Sequence, residues 1–249
     1  MGDKNRKGRW DILDRRLIGV VVVALVVLGA ACGYLIWQAS KPAVGPSPTP
    51  SDNIIELPEP RHDSDVSIEE VLLSRRSVRE YTGEPLTLQD VSQLLWAAQG
   101  ITDPRGYRTA PSAGGTYPLE VYVVVGDVEN LAEGVYKYNP LENEIIRVLD
   151  GDKREELYVA VLEQTWVREA AIDMVIAAVY ERTTEKYGER GVKYVHMEAG
   201  HAAQNLCLQA TALNLGTVTV GAFHDEQVKE LLNLPENVQP LYVMPVGKK

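Results

Sequence analysis

Between Leu17 and Trp37 the chain runs through 21 residues without a charged side chain, most of them Val, Leu, Ala and Ile. At ~1.5 Å of rise per residue, a helix of that length covers the ~30 Å hydrocarbon core of a bilayer. Tyr34 and Trp37 fall where amphipathic rings favour the headgroup layer. The expectation is a single transmembrane helix over residues 17–38, which forces everything else to fold on either side of it. A cleavable signal peptide is the rival reading, because basic residues precede the run and Gly29-Ala30-Ala31-Cys32 offers small residues for cleavage. The run outlasts the ~7–15 apolar residues usual for a signal peptide and continues through Leu35-Ile36-Trp37, which favours an uncleaved anchor.

Charge divides the chain at the same place. The net charge of −10 hides a +4 segment over residues 1–50 and a −14 remainder, 18 basic against 32 acidic side chains. Six basic residues precede the apolar run (Lys4, Arg6, Lys7, Arg9, Arg15 and Arg16), whereas Lys41 alone follows it closely. The positive-inside bias then makes residues 1–16 a cytoplasmic flank and puts the acidic part outside the cytoplasm. Residues 39–64, with prolines at 42, 46, 48, 50, 58 and 60, read as an extended, semi-rigid linker. Residues 65–249 are long enough to bury a core without disulfides or a structural metal. Their acidity argues against a nucleic-acid partner, and Cys32 and Cys207 are placed too differently to form a bridge.

Helical and strand patterns alternate through this domain. Ser67 and Thr87, each followed three residues later by an acidic side chain, open two helices, and Gly100 stops the second. Val121–Val125 is β-branched, and Gly134–Tyr138 with Glu144–Val148 reads as a hairpin. A helix is expected around 152–164, then a continuous strand over Ile172–Tyr180, as in a sheet covered on both faces. A long helix rich in small residues follows over Val192–Leu215, suited to close approach by another backbone. Thr217–Val220 and Leu241–Val246 are strands flanking a helix at Asp225–Leu232. The fold class is α+β, helices packed on a mixed sheet.

Several chemistries lack their residues. There is no His-Glu-x-x-His, no cysteine pair, no phosphate loop, no G-x-G-x-x-G after a strand and no G-x-S-x-G. No metal site is expected, and hydrolase and kinase readings lose their support. Three elements stand out instead. Ser74-Arg75-Arg76-Ser77-Val78-Arg79 puts three guanidinium groups and two hydroxyls at a helix end, a set able to hold a phosphate and sugar hydroxyls, or else a solvated basic turn. Ala110-Pro111-Ser112-Ala113-Gly114-Gly115-Thr116-Tyr117-Pro118 lets backbone amides approach a flat ligand, or is simply a tight loop into a strand. Gly221-Ala222-Phe223 after a strand, with Lys248 and Lys249 at the end, completes a phosphate pocket or is a solvated tail.

In this order, and with Glu198-Ala199-Gly200-His201-Ala202-Ala203-Gln204-Asn205 between them, these elements resemble the FMN-dependent nitroreductase superfamily, most of all its SagB/ThcOx-type dehydrogenases. The resemblance covers about residues 65–249. It implies a nitroreductase-like homodimer with interdigitated helices and two FMN sites at the interface. By that pattern Arg75, Arg76, Ser77 and Arg79 hold the FMN phosphate, ribityl chain and ring edge. Pro111, Ser112, Ala113 and Gly114 line the flavin from the other subunit, Gly221 and Ala222 approach its ring, and Lys248 or Lys249 reaches the phosphate. His201, Gln204, Asn205 and Glu198 are expected to serve packing or the interface.

Two reactions are implied. In one, a donor such as NAD(P)H passes a hydride through flavin N5 to a small acceptor, a nitro compound or quinone. In the other, the flavin oxidises a peptide azoline, with Lys193-Tyr194 abstracting a proton if burial lowers the lysine. Lys193 as a solvated side chain and Tyr194 as an interface aromatic are the plain alternative, and no peptide-recognition domain accompanies the chain. An outward-facing domain would lack NAD(P)H, which points to a quinone, thiol or membrane partner. A flavin-binding protein without turnover and a cofactor-free adaptor are the non-enzymatic alternatives.

Overall fold

The computed structural model describes residues 53–249. Seven strands form one sheet, β1 (Ile54–Glu56), β2 (Leu119–Val125), β3 (Gly134–Asn139), β4 (Glu144–Asp150), β5 (Ile172–Val179), β6 (Leu215–Thr217) and β7 (Val238–Lys248). Their spatial order is β1-β4-β3-β2-β5-β7-β6. Every pairing between these strands is antiparallel. The mixing expected of the sheet is confined to one parallel bridge, Leu86 with Val128. Both edge strands are only three residues long, which leaves little unpaired backbone for another chain to extend.

Among the described residues the α-helices are α1 (Ile68–Ser74), α2 (Leu88–Gln99), α3 (Arg154–Ala160), α4 (Thr165–Glu169), α5 (Glu181–Tyr187), α6 (Arg190–Ala212) and α7 (Asp225–Leu231). Strand β5 shows how the layers arise, since its side chains alternate between faces. Ile172, Met174, Ile176 and Ala178 enter a core shared with Leu94 and Leu95 of α2 and Val195, Ala202 and Leu206 of α6. Val175, Ala177 and Val179 enter a second core with Leu157 of α3, Val167 of α4 and Val228 of α7. The sheet is thus covered on both faces, and β5 is buried along its whole length.

Local chemistry explains the helix starts. Ser67 Oγ accepts from the Glu70 N–H at 3.1 Å, and Thr87 and Asp90 form a reciprocal capping box. The expected helix over 152–164 is two helices instead. Leu162 and Glu163 both adopt positive φ, and the Glu163 N–H turns back to the Tyr158 carbonyl at 2.9 Å, ending α3. The chain also enters the domain before residue 65. Within the range read as linker, Ile54–Glu56 pair with β4, and the Pro58 carbonyl accepts from Ser92 Oγ at 2.5 Å.

The membrane reading is corrected. Among the described residues no helix is long and apolar enough to cross a membrane. The longest, α6, has 23 residues but intersperses Arg190, Lys193, His196, Glu198 and His201 with its apolar positions, so it lacks the continuous apolar run a membrane span needs. The transmembrane helix, the membrane partner and the extracytoplasmic placement therefore find no support in the structure. The run at 17–37, the flank 1–16 and the linker up to residue 52 lie outside the described residues.

Candidate functional site

Helix α1 closes at Ser74 as the Arg75 N–H donates to the Val71 carbonyl at 2.9 Å, and the chain then extends from Arg75. This segment lies along the sheet's far edge. The Val78 N–H donates to the Thr217 carbonyl and the Thr82 N–H to the Lys248 carbonyl, both at 3.0 Å. Val78 and Tyr81 lie against Gly216 and Gly247, where an added Cβ would come within 2.6 Å of Val78 and 2.7 Å of the Tyr81 ring. With those two side chains turned in, Arg76, Ser77 and Arg79 are left exposed, while Arg75 is half-buried. The Arg76 Nη1 donates to the carbonyls of Leu73 (3.0 Å) and Arg75 (2.7 Å). The Arg79 guanidinium stacks 5.2 Å over Trp166 of α4. None of the three arginines has a carboxylate within salt-bridge distance among the described residues.

The carboxy-terminal elements meet this segment. Gly221 and Ala222 are exposed, just past Val220, which exchanges backbone hydrogen bonds with Val243 of β7. The Ala222 carbonyl accepts from Gln164 Nε2 at 3.0 Å, two residues before Trp166. Arg79, Trp166 and Gly221-Ala222 are therefore linked through α4. Lys248 is engaged with Glu84 at 3.8 Å, and Lys249 is exposed.

The loop over 110–118 is held by α5 and α6 instead. Ala113–Gly115 form one 3₁₀ turn, with Gly114 at φ +63 and Gly115 at φ +67. The positive φ favours glycine at 114, and a Cβ there would also press on the Tyr187 hydroxyl and the Lys186 ammonium, which would have to shift. Lys186 Nζ donates to the Gly114 carbonyl at 3.2 Å, the Tyr117 N–H donates to Ser112 Oγ at 2.9 Å, and the Thr116 and Thr183 hydroxyls are 2.8 Å apart. Under the loop lies Glu198, 2% exposed, with Oε1 unpartnered. Burial pushes its carboxyl up to about 7, against the opposing pull of the Ser112 hydroxyl and the Arg108 charge. Lys193 is exposed, so the burial needed to make it a base is not present within one chain. The Tyr194 ring packs edge-on against Tyr187 at 5.2 Å.

The expected residues thus fall into two groups, the 75–79 segment with β6, β7 and 221–222, and the 111–114 loop with Tyr187, Tyr194 and Glu198. No hydrogen bond, ion pair or ring contact joins them among the described residues. Both touch α6: Glu198 faces the loop, and nine residues on, about 13 Å along the axis, the buried Cys207 thiol feels Arg75. Trp166 and Glu198 escaped the sequence reading as site residues. Trp166 had no motif, and Glu198 had only its place beside small residues.

The chain matches the nitroreductase family over residues 72–248. It is 53% identical over 195 residues to MJ1384 of Methanocaldococcus jannaschii, which carries a nitroreductase name, covering 78% of this chain and 96% of that protein. It is 27% identical to the NADPH-flavin oxidoreductase of Vibrio harveyi, over 72% of this chain and 64% of that one. Among solved structures, a nitroreductase-named protein of Ralstonia eutropha JMP134 superposes with a TM-score of 0.71 at 31% identity, covering 84% and 97% of the two chains. A chain of the Escherichia coli microcin synthetase McbBCD complex superposes with a TM-score of 0.61 at 25% identity, covering 85% of each.

Proposed function

The chain belongs to the nitroreductase family, and from that membership we propose that it is an FMN-dependent oxidoreductase passing electrons from NAD(P)H to a small organic acceptor, a nitro compound or a quinone. At the general level, that of a flavin-dependent oxidoreductase, the family and its flavin-oxidoreductase relatives support the reading directly. The observation that carries the finer one is the set of three guanidinium groups, Arg75, Arg76 and Arg79, with no carboxylate within salt-bridge distance among the described residues, in a chain of net charge −10. An acidic protein that leaves such a cluster without carboxylates has kept it for an anion, and Arg forks suit a phosphate.

The residues present fit that cofactor. Arg75, Arg76, Ser77 and Arg79 hold the phosphate and neighbouring hydroxyls, while Gly221 and Ala222, exposed and without bulk, leave room for a flat ring. Pro111, Ser112, Ala113 and Gly114 form the other wall. Because the two groups stand apart in one chain, a homodimer in which each flavin takes the arginine segment of one subunit and the loop of the other satisfies both. When bound, the flavin supplies hydride transfer at N5. The chain would orient it and exclude water, so that donors beside the ring would stabilise the negative charge it accumulates.

The likeness to the McbBCD chain favours a second reading, azoline oxidation on peptides, with Tyr194 beside the loop. Lys248 and Lys249 contribute to the phosphate only if Lys248 leaves Glu84. The test is direct. Protein as purified should be yellow, release FMN on denaturation, and turn over NADH or NADPH with menadione or nitrofurazone. Arg75→Ala should weaken FMN binding about tenfold or more, the scale of a lost charge-assisted bond. Colourless protein that FMN does not reconstitute would overturn the proposal.

A further inference from the structure

A cleft of about 270 Å³ opens where β2 and β3 part beyond their Tyr122–Lys137 pair, apart from the arginine segment at the far edge. Leu119, Val121 and Tyr138 lie beneath it almost wholly buried, and its accessible apolar lining is Ile146, Pro140 and Leu141. Its walls carry three cations, Arg108, Lys137 and Arg182, against one carboxylate, Glu120. Glu120 is fully engaged: Oε2 pairs with Lys137 at 2.8 Å and Oε1 with Arg182. Arg182 also donates to the Tyr117 carbonyl at 3.2 Å, so two of the cations are held in place by partners of their own.

Arg108 is the exception. It is half-buried, yet its hydrogen-bond partner is the neutral Gln99 Oε1 at 2.7 Å, and its plane stacks 4.7 Å over Tyr117. Among the described residues no carboxylate lies within salt-bridge distance of it, and Glu198 and Glu120 act on it only from farther away. Burial accordingly pulls its pKa down, against the weaker opposing pull of Glu198 and Glu120. A guanidinium so placed has a fork of donors free for a bidentate partner.

We propose that this cleft is a binding site for a small organic carboxylate with an apolar body, its carboxylate paired to Arg108 and its ring or branched chain laid against Ile146, Pro140 and Leu141. The cleft lies just under the ~300–1,000 Å³ of drug-sized sites, which suits a single-ring ligand. Exposed Leu141, on the turn between β3 and β4, forms the rim. The site does not depend on the flavin reading, although Tyr117 connects it to the 110–118 loop through Ser112.

Calorimetric titration of the purified, flavin-containing protein with benzoate, and with benzamide as the uncharged control, tests the proposal. Benzoate should bind saturably, and benzamide about tenfold or more weaker, because the amide cannot form the charged fork. Arg108→Gln should weaken benzoate by a similar factor. Leu141→Asp, at an exposed position that leaves the core untouched, should weaken it severalfold by repulsion at the rim. The visible flavin spectrum should not change on binding. Absence of saturable binding, equal binding of benzamide, or undiminished benzoate binding to Leu141→Asp would each overturn the site. Benzoate that alters the flavin spectrum and ignores both substitutions would belong to the flavin pocket and overturn it too.

Discussion

Glu198 shows how one side chain ties the core to the loop above it. The folded chain holds its carboxyl proton up to about 7, whereas an ordinary glutamate releases it near 4.5. The folded state therefore binds this proton more tightly than the unfolded one, and stability from this group is full below pH 4.5 and lost as the pH rises to about 7. Each unit of difference is worth ~1.4 kcal/mol, so the swing is a few kcal/mol at most. Glu198→Gln keeps the shape and removes the titration. Its urea midpoint should vary less between pH 4.5 and 7 than that of the parent protein, and an unchanged slope would show that the carboxyl is not held as described. Arg108, close by, makes a related point from the other sign of charge. Its isolation is invisible in the sequence, because it depends on Glu120 being taken by Lys137 and Arg182, residues 17 and 62 positions downstream of Glu120.

At the scale of elements, the arginine segment depends on two glycines it does not contain. Gly247→Ala would drive a methyl group into the Tyr81 ring. The expected cost is about 1–3 kcal/mol by overpacking, accompanied by loss of flavin as the segment lifts from β7. Retention of full flavin content in a destabilised Gly247→Ala protein would separate segment placement from cofactor binding. What could be read in advance follows the reach of each signal. The capped starts at Ser67 and Thr87, the hairpin, and the buried β5 are written in neighbouring residues, so they were legible. The break at Leu162-Glu163 was not, since neither residue type favours positive φ and the turn is imposed by α3 and α4 packing on one sheet face. Strand β1 was hidden among prolines because three residues acquire their conformation only from β4. The candidate site was legible as residue types and order, through the arginines and the glycine-rich loop, but not as two separated groups.

For the whole molecule, that separation bears on assembly. Ile68, Leu72 and Leu73 of α1 and Val192 and Met197 of α6 are large apolar side chains left exposed, Leu73 by 77%. Burying them between two copies would stabilise a dimer by the ordinary area-dependent hydrophobic term. Sedimentation should give twice the chain mass. Met197→Asp combined with Leu73→Asp should yield monomers that have lost most of their flavin. Monomers that retain full flavin would show that one chain suffices for the site.

The position of β7 has its own consequence for how the molecule comes into being. It is the last strand along the chain, yet it lies between β5 and β6. During synthesis β2, β3, β4 and β5 can zip together in order, but the other side of β5 stays open until residues 238–248 have left the ribosome. Through that interval a strand apolar at every position but Asp173 presents a bare hydrogen-bonding edge, the form most prone to pair with a neighbouring nascent chain. Ribosome pausing late in the message, or a truncation before residue 238, should therefore divert this protein toward aggregates and chaperone capture more than a comparable loss of β1 at the opposite edge.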